Sequence, residues 1–153
     1  MKRILTLITA TLLILSLFSA CGAKSVDLKE VMDSINSTYD LSDLKVIEDA
    51  DGLHRYFQID ADSVKQFAAE ISSSTRKYSE TILIEAVDQD AADTIKTQLE
   101  THLNSQLSNA KSYDAEQVAM LNGCKVEENG NFVYLVIGDD HECIEEIIET
   151  DLK

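Results

Sequence analysis

The stretch Glu80-Thr81-Ile82-Leu83-Ile84-Glu85-Ala86-Val87 decides the fold. In an extended chain Ile82, Ile84 and Ala86 point one way and Leu83 and Val87 the other. A strand that is apolar on both sides is covered, at least partly, on both. Directly after it, Asp88 to Ala110 places Ala92, Ile95, Leu99, Leu103 and Leu107 along one stripe, which predicts the longest helix of the chain. Further on, Cys124 to Glu127 and Phe132 to Ile137 read as two strands around Glu128-Asn129-Gly130-Asn131, a hairpin signal. Between them Tyr113 to Leu121 reads as a short helix closed by Asn122-Gly123. Asp139 to Leu152 closes the chain as a helix with Cys143, Ile144, Ile147, Ile148 and Leu152 inward.

Upstream of Glu80 the signals are shorter. Asp27-Leu28-Lys29-Glu30 reads as a capping box, with Val26 able to staple against Val31, and Leu28, Val31, Met32 and Ile35 recur at helical spacing. Leu44 to Glu48 is a candidate short strand, Asp49-Ala50-Asp51-Gly52 a turn cluster, and Leu53 to Phe57 a helical turn. Asp60 or Asp62 is expected to start a second helix with Val64, Phe67, Ala68 and Ile71 on its face, ended by Ser72-Ser73-Ser74-Thr75. The fold class expected is α+β: a small, mainly antiparallel sheet of three to four strands with helices packed on it, after an N-terminal signal segment. The β-α-β-β-α order from Glu80 onward matches a ferredoxin-like half.

The first residues carry an address. Lys2 and Arg3 are a positive start, and Ile4 to Phe18 is an apolar run of fifteen residues. Crossing a bilayer as a helix takes ~20 apolar residues, so the run fits a secretory leader better than a span. Leu17-Phe18-Ser19-Ala20-Cys21-Gly22 then resembles the lipobox of bacterial lipoproteins, in which small residues precede a cysteine that receives diacylglycerol. Carried onto this chain, Ser19 and Ala20 are the small pair and Cys21 is the lipidated residue; Phe18 departs from the usual Leu or Val. Ordinary cleavage that leaves Cys21 a plain thiol is the competing reading. The domains expected are residues 1–20 as lipoprotein signal peptide, 21–26 as lipidated anchor and short linker, and 27–153 as one α+β domain.

Charge and composition exclude some partners. The 153 residues hold 13 basic and 28 acidic side chains, for a net charge of −15, and loss of Lys2 and Arg3 with the leader makes it −17. Nucleic acid needs a basic face, and 6% aromatic residues offer few stacking platforms. Membrane contact is expected through lipid on Cys21 rather than through basic residues, since two acyl chains anchor stably without a polybasic patch.

Along the whole chain several stretches resemble one family. The leader ends in Ala20-Cys21-Gly22 and runs into Val26-Asp27-Leu28-Lys29-Glu30-Val31-Met32. Tyr56-Phe57-Gln58-Ile59-Asp60 and Glu80-Thr81-Ile82-Leu83-Ile84 follow, and then Phe132-Val133-Tyr134-Leu135-Val136-Ile137-Gly138. This is similar to the small Gram-positive lipoproteins of the domain-of-unknown-function 4358 family. That family often has Pro where Ala61 stands, and it supplies no functional residues to carry over.

Candidate chemistry is thin. The acid pairs Asp49/Asp51, Asp60/Asp62, Asp88/Asp90 and Asp139/Asp140 suggest a calcium site or a general acid and base. The first lacks the further ligands of an EF-hand, and the others precede expected helices, where carboxylates cap N–H groups. His54, His102 and His141 are scattered without zinc spacing, and no Gly-rich phosphate loop or Gly-x-Ser-x-Gly elbow occurs. No metal, cofactor or catalytic residue is therefore assigned. Cys124 and Cys143 either bridge, as an extracytoplasmic location permits, or sit in the core as small hydrophobes. The five tyrosines are expected as core or rim rather than as a ligand platform.

The leading functional reading is a membrane-anchored, non-enzymatic envelope interaction module on the outer face of the cytoplasmic membrane, with an envelope protein as partner. Its alternatives are an envelope hydrolase using spatially assembled carboxylates and a small ligand-binding lipoprotein.

Overall fold

The computed structural model describes residues 26–153 apart from 40, 42, 75–77 and 113. The expected leader, Cys21 and the linker up to Ser25 lie outside the described residues, as do Thr75 and Tyr113. Along the chain the elements are α1 (Leu28–Thr38), β1 (Leu44–Val46), α2 (Ala50–Phe57), a 3-10 turn (Ala61–Ser63) and β2 (Val64–Ser72). Then come β3 (Glu80–Ala86), α3 (Gln89–Ala110), α4 (Ala115–Gly123), β4 (Val126–Asn129), β5 (Phe132–Ile137) and α5 (His141–Asp151). The chain is α+β, with one sheet in the order β1-β2-β3-β5-β4 whose neighbours are all antiparallel.

The sheet has five strands rather than three to four, and the extra one corrects the expectation of a second helix. Val64–Ser72 is a strand. It pairs with β3 from Val64↔Ala86 to Ile71↔Glu80, with an irregularity between Val64 and Gln66. One face gives Phe67, Ala69 and Ile71 to one core layer, and the opposite face gives Ala68 to the other. Long-range pairing with β3 outweighs the helical spacing of its apolar residues.

Helices cover both faces of the sheet. On one, Leu53 and Phe57 of α2, Ala92, Ile95 and Leu99 of α3 and Leu121 of α4 pack on Ile82, Ile84, Val133 and Leu135. On the other, Val31, Met32 and Ile35 of α1 and Ile144 and Ile148 of α5 pack on Leu83, Tyr134 and Val136. Ile82, Ile84 and Ala86 thus face one layer and Leu83 the other, as their alternation predicts, while Val87 lies past the strand end and is 49% exposed. The order β3-β5-β4 is that of a ferredoxin-like β-α-β-β unit. The helix after it departs, because α5 packs opposite α3 instead of beside it.

Helix starts follow the carboxylates unevenly. Asp27, Asp49, Asp88 and Asp114 each accept a hydrogen bond from a backbone N–H in the first turn of α1, α2, α3 and α4. Asp60 and Asp140 stand at the corresponding places but make no such bond. Asp49, expected in a plain turn, is therefore a cap. The β4–β5 turn is made by Gly130, whose φ of 58° is cheap only for glycine.

Candidate functional site

Charged residues in an apolar strand have to be paired, and β3 has one at each end. At its C-terminal end Glu85 is 8% exposed. One carboxylate oxygen accepts from Lys65 Nζ and the other from Gln66 Nε2, each at 2.5 Å. Burial pushes the Glu85 carboxyl up, but the hydrogen bonds from Gln66 and Lys65 and the lysine charge outweigh it and hold the group below its ordinary value. Gln66 also donates to the Val26 carbonyl at 2.7 Å and accepts from the Leu28 N–H at 3.1 Å. This network fixes the start of α1 to the sheet.

At the other end of β3, Glu80 is 7% exposed on the α3 face. His102 Nε2 lies 2.6 Å from one of its oxygens and Gln106 Nε2 donates to the other at 3.0 Å. The His102 ring meets Phe57 edge to face, with centroids 4.9 Å apart. With both oxygens engaged, Glu80 is a satisfied acid inside a packed layer.

A slot of about 630 Å³ opens where the sheet is incomplete. β1 pairs only with Glu70–Ser72, and its last contact is the Ile47 N–H on the Ala69 carbonyl at 2.8 Å. The chain then turns away into α2, so among the described residues β2 from Val64 to Ala68 has no strand on its outer side. Met32 and Asp33 of α1 form one wall, and Ile47, Glu48 and Ala50 form the other, with Phe67 and Ala68 between. Glu70 lies at one end, 8% exposed, with Asn36 Nδ2 donating to it at 2.9 Å. Val46 at the rim is 53% exposed.

The residues singled out in the sequence lie elsewhere. Cys124 and Cys143 are both free thiols in the structure. Cys124 is buried, its Sγ 3.4 Å from the Met120 carbonyl in the α3–α4 layer. Burial pushes that thiol up, the Gly138 backbone pulls it down, and the Glu145 and Asp139 charges raise it further. Cys143 is exposed rather than inward, because it falls beside the Ile144/Ile148 stripe of α5. It stands by Tyr39, whose hydroxyl is pushed up first by desolvation and then by Cys143. The scattered histidines stay apart in role: His54 lies 3.5 Å from Asp60 at the surface, while His141 Nδ1 sits 2.9 Å from the Gly138 carbonyl. Of the tyrosines, Tyr134 is core at 4% exposure, and burial, with Glu149, Glu127 and Glu145 adding, pushes its hydroxyl up to about 12. Tyr56 is rim at 38%. One buried oxygen of Glu145 has no partner, and burial raises that carboxyl against the opposing charges of His141 and Lys125.

Among the described residues no group of three or more His, Cys, Asp or Glu is gathered to hold a metal, and no helix is long and apolar enough to cross a membrane. Lys65, Gln66, Glu70, Glu80 and Glu85 were not singled out by motif. For Glu80 and Glu85 a signal was available, acids at both ends of a strand read as covered on both sides; Lys65, Gln66 and Glu70 lie in the stretch expected as a helix.

The model of a domain of unknown function, DUF4358, matches residues 37–138, two thirds of the chain. The chain belongs to the DUF4358 family. The match takes in β1 to β5, the Glu80–His102–Gln106 cluster and the whole β2 edge; most of α1, and α5, lie beyond it. No curated protein and no solved structure matches this DUF4358 chain.

Proposed function

We propose that this DUF4358 protein is a lipoprotein anchored through Cys21 to the outer face of the cytoplasmic membrane, where it serves as a non-enzymatic interaction module of the envelope. The slot beside the uncovered part of β2 carries this reading. An incomplete sheet edge between two walls offers shape, apolar surface and main-chain hydrogen-bonding groups, which is what a macromolecular partner uses. Five chain steps lead from Cys21 to Val26, a reach of about 17 Å, so the lipid would hold the domain close to the bilayer. Glu80, the best-placed buried acid for a hydrolase, has both oxygens taken by His102 and Gln106. That favours a structural role for the pair over the hydrolytic alternative.

Two measurements in cells test the reading. Cys21→Ala is expected to abolish lipid labelling and to release the protein from the membrane fraction or leave the precursor uncleaved. Unchanged detergent-phase partitioning would refute anchoring. A photo-crosslinking residue at Val46, on the slot rim, is expected to give a discrete protein adduct that the same residue at exposed Glu116 of α4 does not give. Identical adducts from both positions would refute the slot as the surface.

A further inference from the structure

We infer that the slot takes an extended, base-bearing segment of an envelope protein, which pairs main chain to main chain with β2 and sets a Lys or Arg against Glu70 and Asp33. This rests on the slot being the interaction surface and adds what fills it.

Backbone geometry supplies the first part. Ala69 turns its carbonyl outward to the Ile47 N–H. Successive residues of a strand alternate in direction, so Phe67, two residues earlier, turns its N–H and C=O outward as well. Among the described residues no strand lies beside them. The uncovered stretch Val64–Ala68 is about 16 Å long, and the occupant that satisfies such groups at strand spacing is another strand.

The walls decide what kind of strand. β2 is recessed between α1 on one side and the Ile47–Ala50 turn on the other. A second copy of this chain presents the same recessed edge, so its walls would meet these walls before the strands came within pairing distance. A single segment without flanking helices enters.

Charge decides the segment's chemistry. Glu70 is nine-tenths buried and has one neutral donor, Asn36. Asp33 and Glu48, exposed on opposite walls, make no ion pair among the described residues. At the other end Lys65 is already held by Glu85, which leaves Lys29 as the remaining base on the walls. A cation brought to Glu70 meets a carboxylate shielded from water, where attraction is stronger than at an open surface, and exposed Asp33 adds a weaker pull. The net charge of −15 steers in the same direction.

The test uses the full chain in detergent micelles and three acetylated, amidated hexapeptides of alternating Thr and Val: one with a central Lys, one with a central Glu, and the Lys peptide with alternate backbone nitrogens methylated. Amide hydrogen exchange is read at Phe67. The Lys peptide is expected to slow that exchange about ten-fold at saturation. It is also expected to bind about ten-fold tighter than the Glu peptide, and the double variant Asp33→Lys, Glu48→Lys to reverse that order. Equal protection by the methylated peptide, an unchanged order in the double variant, or no saturable binding up to millimolar peptide would each overturn the inference. If the peptides fail while the Val46 adduct persists in cells, the interaction reading stands and the strand inference alone falls.

Discussion

Glu85→Ala removes the carboxylate that joins Lys65, Gln66 and, through Gln66, the entry to α1. Its two contacts differ in weight. Lys65 is 63% exposed on its side chain, so that ion pair contributes ~0.5 kcal/mol after solvent screening. The Glu85 side chain is 10% exposed, and a charge-assisted bond from Gln66 in that setting contributes about 1.5–2 kcal/mol. Alanine also leaves one Gln66 N–H without its acceptor, so the total expected loss is about 2–3 kcal/mol, or on the order of 8 °C in Tm. Lys65→Met should cost ~0.5 kcal/mol in the same melts. The carboxyl is held below its ordinary value of 4.5, so its stabilising effect is complete above that pH and is lost as pH falls through the lower folded value. The gap between the native chain and Glu85→Ala is therefore largest at pH 7 and narrows below 4.5. A gap as wide at pH 3 as at pH 7, or a Lys65→Met loss equal to that of Glu85→Ala, would refute the reasoning.

Native alkylation with iodoacetamide at pH 8 should modify exposed Cys143 about ten-fold faster than Cys124, whose thiol is buried and pushed up. Equal rates would contradict the burial of Cys124, and two unreactive thiols with a mass lower by two hydrogens would establish the bridge instead. Gly52→Ala should destabilise by about 1–3 kcal/mol, because its Cβ would stand 2.6 Å from Ile47 Cγ2, a branched atom fixed at χ1. Thermal melts should show most of that loss removed in an Ile47→Ala background, where the helix preference for alanine offsets the remaining 3.3 Å approach to Asp49 Oδ1.

Elements whose partners are near in sequence, or whose pattern is long, are legible in the sequence. Asp88 announces α3, and five stripe residues over its length leave no competing reading. Phe132–Ile137 and the Gly130 turn are likewise local. β2 was not legible, for a physical reason. Val64, Phe67, Ala68 and Ile71 recur at i, i+3, i+4 and i+7, and Ala68-Ala69-Glu70 favours a helix. A strand buried on both faces shows no clean period of two, so the pattern that survives is accidental. Cys143 misled similarly: as the neighbour of Ile144 it seemed part of a stripe that α5 presents one residue further round. The slot depends on the first of these being undone, since it exists only if Val64–Ser72 is a strand that β1 covers in part.

Why β1 stops short can be traced to four residues. Ile47 makes the final bond to Ala69 and buries its side chain in the α2–α3 layer, at 5% exposure. Asp49, two residues after the last bond to β2, then caps α2 by accepting the Gly52 N–H at 2.9 Å, and the helix starts at Ala50. Only a residue without Cβ lets the first turn of α2 close over Ile47, as the 2.6 Å approach shows. The turn cluster Asp49-Ala50-Asp51-Gly52 is thus the device that pulls the chain off the sheet and leaves five residues of β2 uncovered. Natural sheets commonly blunt such an edge with charge or a bulge. Here the Val64/Gln66 irregularity and Lys65 blunt one end, whereas Phe67 remains open between its walls. An edge guarded at its end and open at its centre has room for a narrow strand while discouraging sheet-to-sheet pairing, which is the property the proposed interaction module requires.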